Sequence, residues 1–393
     1  MKKLLLATVA SAAMATAVSA DDVKIGVFLG FTGPLESLVL HMGPGAEAAI
    51  DEVSNSGKFM NGSKVISVRA DTTCIDSGAA TAAAERLITS DKVNGIVGGD
   101  CSGVTTAALT NVAMPNGMVM ISPSATSPAL STLEDNGLFF RTSPSDARQG
   151  NVMTNILLER GYKSIALTYV NVDYGQGLAD AFTTAYEAAG GEITITVPHE
   201  DNKADYSAEV GALAAAGGDI LVVAGYLDNG GRGMIQASLD SGAFDTFVLP
   251  DGMVGASLPE AIGSDLNGSF GQVPGVDPNK SFVAIAGDNF DATSPFAAES
   301  YDAAALMLLS MQSAGSVDPA DYKNKVFDVA NAPGEKIYPG ELGKALDILS
   351  AGGEIDYVGA SAVELIGNGE SVGNYREIEI KNSKIETVRY RQK

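Results

Sequence analysis

The chain predicts an α/β protein built as two doubly wound, parallel-sheet lobes. Three observations carry this. Short apolar runs alternate with helical segments, the βαβ signature of a parallel sheet. The alternation completes two successive cycles of similar size. About 370 residues follow the leader, more than one ordinary core holds.

The first cycle opens with a buried strand, 23–29. A helix follows at 43–53, with alanine and acidic residues at helical spacing. Residues 65–68 read as a strand, 77–88 as an alanine-rich helix, and 95–98 as an apolar run between glycines. A helix at 102–112 and a strand at 118–121 complete it. The second cycle starts after Phe139-Phe140-Arg141. It reads helix 146–160, strand 164–169, helix 177–189, strand 192–197, helix 206–215, strand 220–223, helix 232–239 and strand 247–249. The remainder carries helices at 281–289, 297–314, 319–329 and 341–349. Short strands follow from Ala362 to Tyr390. No low-complexity linker separates the cycles, so crossing strands are expected to join the lobes.

The first twenty residues are a targeting segment. Lys2 and Lys3 precede an apolar stretch from Leu4 to Val18, and Val18-Ser19-Ala20 offers small residues for cleavage after Ala20. Export is therefore expected. The full chain has 25 basic and 48 acidic residues, and without the leader a net charge of −25. Such a balance argues against nucleic acid and anionic lipid as partners. The only cysteines are Cys74 and Cys101. An oxidising compartment favours a disulfide between them over two free thiols.

Catalytic signals are weak. There is no phosphate-binding Gly-x-x-x-x-Gly-Lys, no dinucleotide fingerprint after the first strand and no His-Glu-x-x-His. The only histidines, His41 and His199, read as solvated surface residues, so no metal and no cofactor is expected, and the chain does not read as an enzyme. What remains are polar residues at strand exits. Ser102 opens a helix whose free N–H groups suit a carboxylate. Ser124 and Thr126 follow the next strand. In the second lobe, Tyr174, Tyr226 and Asp251 each follow a strand and suit an ammonium group. A zwitterion bridging the lobes would stabilise a closed form. The bland alternatives are a helix cap at Ser102 and ordinary loop residues at the others.

These residues lie in segments that resemble the leucine/isoleucine/valine-binding branch of type I periplasmic binding proteins. The ordered set is Phe31-Thr32-Gly33-Pro34, Asp71 to Cys74, Gly98 to Ser102, Ile121 to Thr126, Phe140-Arg141-Thr142, Asp173-Tyr174-Gly175-Gln176-Gly177, Gly225-Tyr226 and Pro250-Asp251-Gly252. The resemblance implies a first lobe of residues 21–143 plus 275–357, a second of 144–274 plus 358–393, and a three-strand hinge. It also implies a paired Cys74 and Cys101, and an amino acid held through Ser102, Ser124, Thr126, Tyr174, Tyr226 and Asp251. The expected partner is an ABC permease in the cytoplasmic membrane, served by a periplasmic monomer. Three departures leave the side-chain preference open. Asp251 stands where a glutamate is common, Asp100 where an apolar residue is frequent, and Leu38 where a tyrosine often closes the pocket. Alternatives are a urea or short amide, a γ-amino acid or an aromatic acid in the same cleft, a sensor ectodomain, and an exported hydrolase.

Overall fold

A computed structural model describes residues 22–392, so the leader and its cleavage point lie outside the described residues. The first lobe runs β1 (Val23–Leu29), α1 (Glu36–Ser56), β2 (Val65–Asp71), α2 (Ser77–Arg86), β3 (Gly95–Gly98), α3 (Ser102–Ala108), β4 (Met120–Ser122) and β5 (Phe139–Arg141). The second runs α4 (Asp146–Glu159), β6 (Ser164–Val170), α5 (Asp173–Ala188), β7 (Glu192–His199), α6 (Ser207–Ala216), β8 (Ile220–Ala224), α7 (Gly230–Ser241), β9 (Phe247–Leu249), α8 (Ser257–Ile262) and β10 (Phe270–Pro274). The chain then continues through α9 (Lys280–Ala286), α10 (Ala297–Ala314), α11 (Pro319–Tyr322), α12 (Val326–Ala330), β11 (Glu335–Ile337), α13 (Leu342–Ser350) and β12 (Ile355–Tyr357). It closes with β13 (Leu365–Ile366), β14 (Glu370–Ser371), β15 (Tyr375–Lys381) and β16 (Lys384–Arg391).

Two seven-stranded sheets result, ordered β13-β14-β5-β4-β3-β1-β2 and β16-β15-β10-β9-β8-β6-β7. The five parallel strands of each lobe share one winding, with the order reversing between β1 and β3 and between β6 and β8. The strand interiors are apolar and buried, as in β8, whose five residues are all buried. That is the composition of a strand covered on both faces by helices.

Three segments cross between lobes: 142–145, 275–279 and 372–374. The last crossing corrects the boundary expected at 357/358. Residues 365–371 pair into the first lobe's sheet, where Glu370 lies opposite Arg141. Only β15 and β16 join the second sheet.

Helix α1 begins at Glu36 rather than Gly43 and passes through Pro44 without breaking. Its packing against α10 explains why. A Cβ at Gly45 would lie 2.6 Å from the Ala297 carbonyl oxygen, so only glycine permits this approach. Tertiary contact here outweighs the poor local propensity of the Gly-Pro-Gly run.

Candidate functional site

Loops leaving the carboxyl ends of strands next to an order reversal form the natural crevice of such sheets. Here the loops after β3 and β4 in one lobe meet those after β6, β8 and β9 in the other. The meeting is direct. A Cβ at Gly177 would lie 3.0 Å from Ser127 Oγ and Pro128 Cδ, and one at Gly255 would lie 3.0 Å from Leu38 Cδ2. Leu38 is thus a buried contact between lobes. The cleft is shut, and Ser102, Thr126, Tyr174, Tyr226 and Asp251 are all at most 3% exposed.

In the first lobe, Ser102 Oγ accepts the Ser127 N–H at 3.1 Å, and among the described residues it donates to none. Ser102 opens α3, whose preceding residue Cys101 supplies no side-chain cap. Thr126 Oγ1 is buried and lies beside the Asp146 carboxyl, whose charged form it favours. Ser124 differs: its hydroxyl donates to the Asp100 carbonyl at 3.0 Å, so it braces the loop and keeps only acceptor capacity. The Asp100 carboxylate accepts from Gly30 N–H at 2.9 Å and Thr72 Oγ1 at 2.7 Å, turned back toward the ends of β1 and β2. It is spent inside its own lobe, although burial raises its pKa. Cys74 and Cys101 are bonded and tie the loop after β2 to the loop after β3.

Arg141 organises the loop that carries Thr126. Its guanidinium is 1% exposed and donates to the carbonyls of Ala125 (2.9 Å) and Ser127 (3.0 Å). The other arm holds Ser131 Oγ at 2.7 Å and Glu370 at 2.6 Å. Five donors in a fixed fork allow one side chain to pin so many acceptors.

In the second lobe, Asp251 Oδ1 accepts from Tyr174 OH at 2.5 Å and from Gly252 N–H at 2.8 Å. Tyr174 stacks on Tyr226 with ring centroids 5.2 Å apart. Burial pushes both phenols well above their ordinary value, so both are neutral donors. A residue that the sequence reading passed over completes the group. Asp146, the first residue of α4, is fully buried and follows the first crossing segment. Its N–H donates to the Thr126 carbonyl at 2.8 Å. Its Oδ1 accepts from Gln149 Nε2 at 3.0 Å, and the Thr126 hydroxyl lies beside the carboxyl. Gln149 Oε1 in turn accepts from Asp251 N–H at 3.3 Å and from Gln272 Nε2 at 3.3 Å. Burial raises the pKa of both carboxyls, and the Asp251 charge adds to the rise at Asp146.

Ser102, Thr126, Tyr174, Tyr226 and Asp251 are therefore brought together, Ser124 and Leu38 flank them, and Asp100 faces away. Asp146 was missed because an acidic residue in a helix's first turn ordinarily answers the helix dipole. Ser145 is the cap here, accepting from Ala147 N–H at 3.3 Å, and that frees Asp146 for the cleft. His199 corrects a further expectation. It is 1% exposed, not solvated, with Nδ1 2.8 Å from Thr168 Oγ1. Burial lowers its pKa to about 4. His41 is half-buried and accepts the Asp291 N–H at 3.2 Å. Among the described residues no helix is long and apolar enough to cross a membrane.

Two α/β lobes on three crossing segments, with polar groups converging in the cleft between them, define a clamshell solute-binding protein. The model of the family described as periplasmic binding protein matches residues 22–331, and the chain belongs to this family, in its leucine/isoleucine/valine-binding-protein-like type I branch. The leucine-, isoleucine-, valine-, threonine- and alanine-binding protein of Pseudomonas aeruginosa is 30% identical, covering 86% of this chain and 90% of the relative. The chemotactic signal transduction system substrate-binding protein BasB of Halobacterium salinarum is 28% identical, covering 93% and 89%. Among solved structures, a leucine binding protein from Thermotoga maritima superimposes with a TM-score of 0.79 at 21% identity, covering 94% of this chain and 99% of that one. A solute-binding protein from R. palustris in complex with benzoate gives 0.74 at 20% identity, covering 94% and 96%.

Proposed function

We propose that the chain is exported, is cleaved after Ala20 and acts as the periplasmic, monomeric substrate-binding subunit of an ABC importer. Its cargo is a small amino acid held in the shut cleft. One observation carries this reading. The Asp146 and Asp251 carboxyls are buried close enough to raise one another's pKa, and among the described residues no basic side chain forms an ion pair with either. Buried acids without a basic partner are costly. A group that carries positive charge and three N–H donors, an ammonium, satisfies them together. The Ser102 hydroxyl and the start of α3 suit the carboxylate of the same molecule. The names of the Pseudomonas and Thermotoga proteins support an amino acid. Two buried acids argue against a ligand that is only a carboxylate, such as benzoate. A membrane receptor as the partner, in place of a permease, is the second reading, favoured by the name of the Halobacterium relative.

Calorimetry with the common amino acids, urea, γ-aminobutyrate and benzoate tests the ligand class. Heat is expected with at least one α-amino acid. Heat with urea or benzoate alone would sink the reading.

A further inference from the structure

Helix α1 starts without a cap of its own, because Leu35 at the N-cap position contributes no side-chain bond. Its first turn is met from the opposite lobe. Ser37 N–H donates to Asp228 Oδ2 at 2.9 Å, and Asp228 N–H donates back to the Pro34 carbonyl at 3.1 Å. Asp228 Oδ1 accepts from Ser257 Oγ at 2.7 Å, and that hydroxyl lies 3.1 Å from Ser37 Oγ. Pro34 and Ser37 belong to the first lobe. Asp228, in the turn between β8 and α7, and Ser257, at the start of α8, belong to the second. None of the four is part of the hydrogen-bonded cluster around Thr126 and Asp251.

We propose that Asp228 is a positioning residue for solute binding: a helix cap supplied across the cleft, which holds the lobes shut. An uncapped helix start leaves N–H groups unsatisfied, and a carboxylate there gains both hydrogen bonds and the favourable end of the helix dipole. In an open form both α1 and Asp228 return to water, so the cap counts only when the lobes are closed. Closure is then partly supported by contacts that touch no solute. Affinity is set by residues outside the pocket as well as inside it, because a binding-competent state that is less populated weakens apparent affinity in proportion. The inference rests on the clamshell reading and is independent of which solute is carried.

The test compares the otherwise native chain with Asp228→Ala and Asp228→Asn, with no solute added. Spin labels at Glu85→Cys and Asn202→Cys, one on each lobe, report the closed-to-open ratio by pulsed dipolar spectroscopy. Asparagine caps a helix about as well as aspartate. The ratio is expected to fall about 10-fold in Asp228→Ala and to stay within about 3-fold of the parent in Asp228→Asn. Thermal unfolding should move little in either, since the lost bonds cross between lobes. An unchanged ratio in Asp228→Ala, an Asn variant as open as the Ala variant, or a parent with no closed fraction overturns the proposal. A calorimetric panel silent for amino acids, with the ratio still falling, would instead refute the amino acid reading alone.

Discussion

Replacing Asp251 by asparagine isolates one charge. The amide keeps an oxygen for Tyr174 and Gly252, which now donate at 2.5 and 2.8 Å, and it keeps the backbone N–H that meets Gln149. What it removes is the negative oxygen, putting an NH2 group in its place. Breaking a buried, hydrogen-bonded charge pair costs roughly 2 to 5 kcal/mol. At about 1.4 kcal/mol per decade, the dissociation constant should rise between about 30-fold and a few thousand-fold. Folding should not suffer, because Asp251 is 1% exposed and burial already disfavours its charged form. Thermal unfolding is therefore expected to stay level or rise. Calorimetry with the best-binding amino acid and with its deaminated acid completes the assay. The variant should lose affinity for the first far more than for the second. A dissociation constant within about 3-fold of the parent, in a folded variant, would remove Asp251 as the ammonium partner.

Glu299 is buried in α10, and burial raises its carboxyl from 4.5 to about 8. A folded value above the unfolded one gives stability that is full below pH 4.5 and lost as pH climbs through 8. Glu299→Gln should flatten that slope by an amount on the order of 3 to 5 kcal/mol between pH 5 and 9 in urea melts; parallel slopes would contradict it. Replacing Cys74 and Cys101 together by serine opens a loop of sequence separation 27 and should cost about 3 to 4 kcal/mol. A loss under about 1 kcal/mol would mean that the loops after β2 and β3 are held by other contacts. Arg141→Met strands two buried carbonyls and leaves the partly exposed Glu370 with the Ser131 hydroxyl, with an expected cost of about 2 to 4 kcal/mol. A variant as stable as the parent would show that residues 125–131 hold their shape unaided.

Local pattern was enough to locate most elements. Helix α10 spans the same residues that its apolar run predicts, and the alternation across β7 survives in its uneven burial. It failed where distant contacts decide. The run of α1 through Gly43-Pro44-Gly45 is accompanied by a close approach of Gly45 to Ala297, nine residues beyond the helix start. The strands β13 and β14 are two residues each, too short for periodicity to assign to a lobe. At the site, strand exits picked out Ser102, Thr126, Tyr174, Tyr226 and Asp251. No local signal separates Asp146 from the acids that open ordinary helices, and its place in the cluster shows only once Thr126 and Gln149 lie beside it. His199 looked polar in sequence. Its neighbour Gly225, whose added Cβ would sit 3.1 Å from Nε2, shows how tightly it is enclosed.

The bond from Arg141 to Glu370 spans 229 positions of chain. The loop bearing Thr126 is pinned by a guanidinium whose counter-charge is made 229 positions later. A growing chain can lay down β1 to β5, yet β5 remains an open sheet edge and Arg141 a buried cation without its acid until residue 370 arrives. The first lobe is thus begun before the second and completed only after β6 to β10 of the second have been made. A chain ending near residue 364 would keep every cleft residue named above and still lack a formed site, with an unpaired edge ready to associate with other chains.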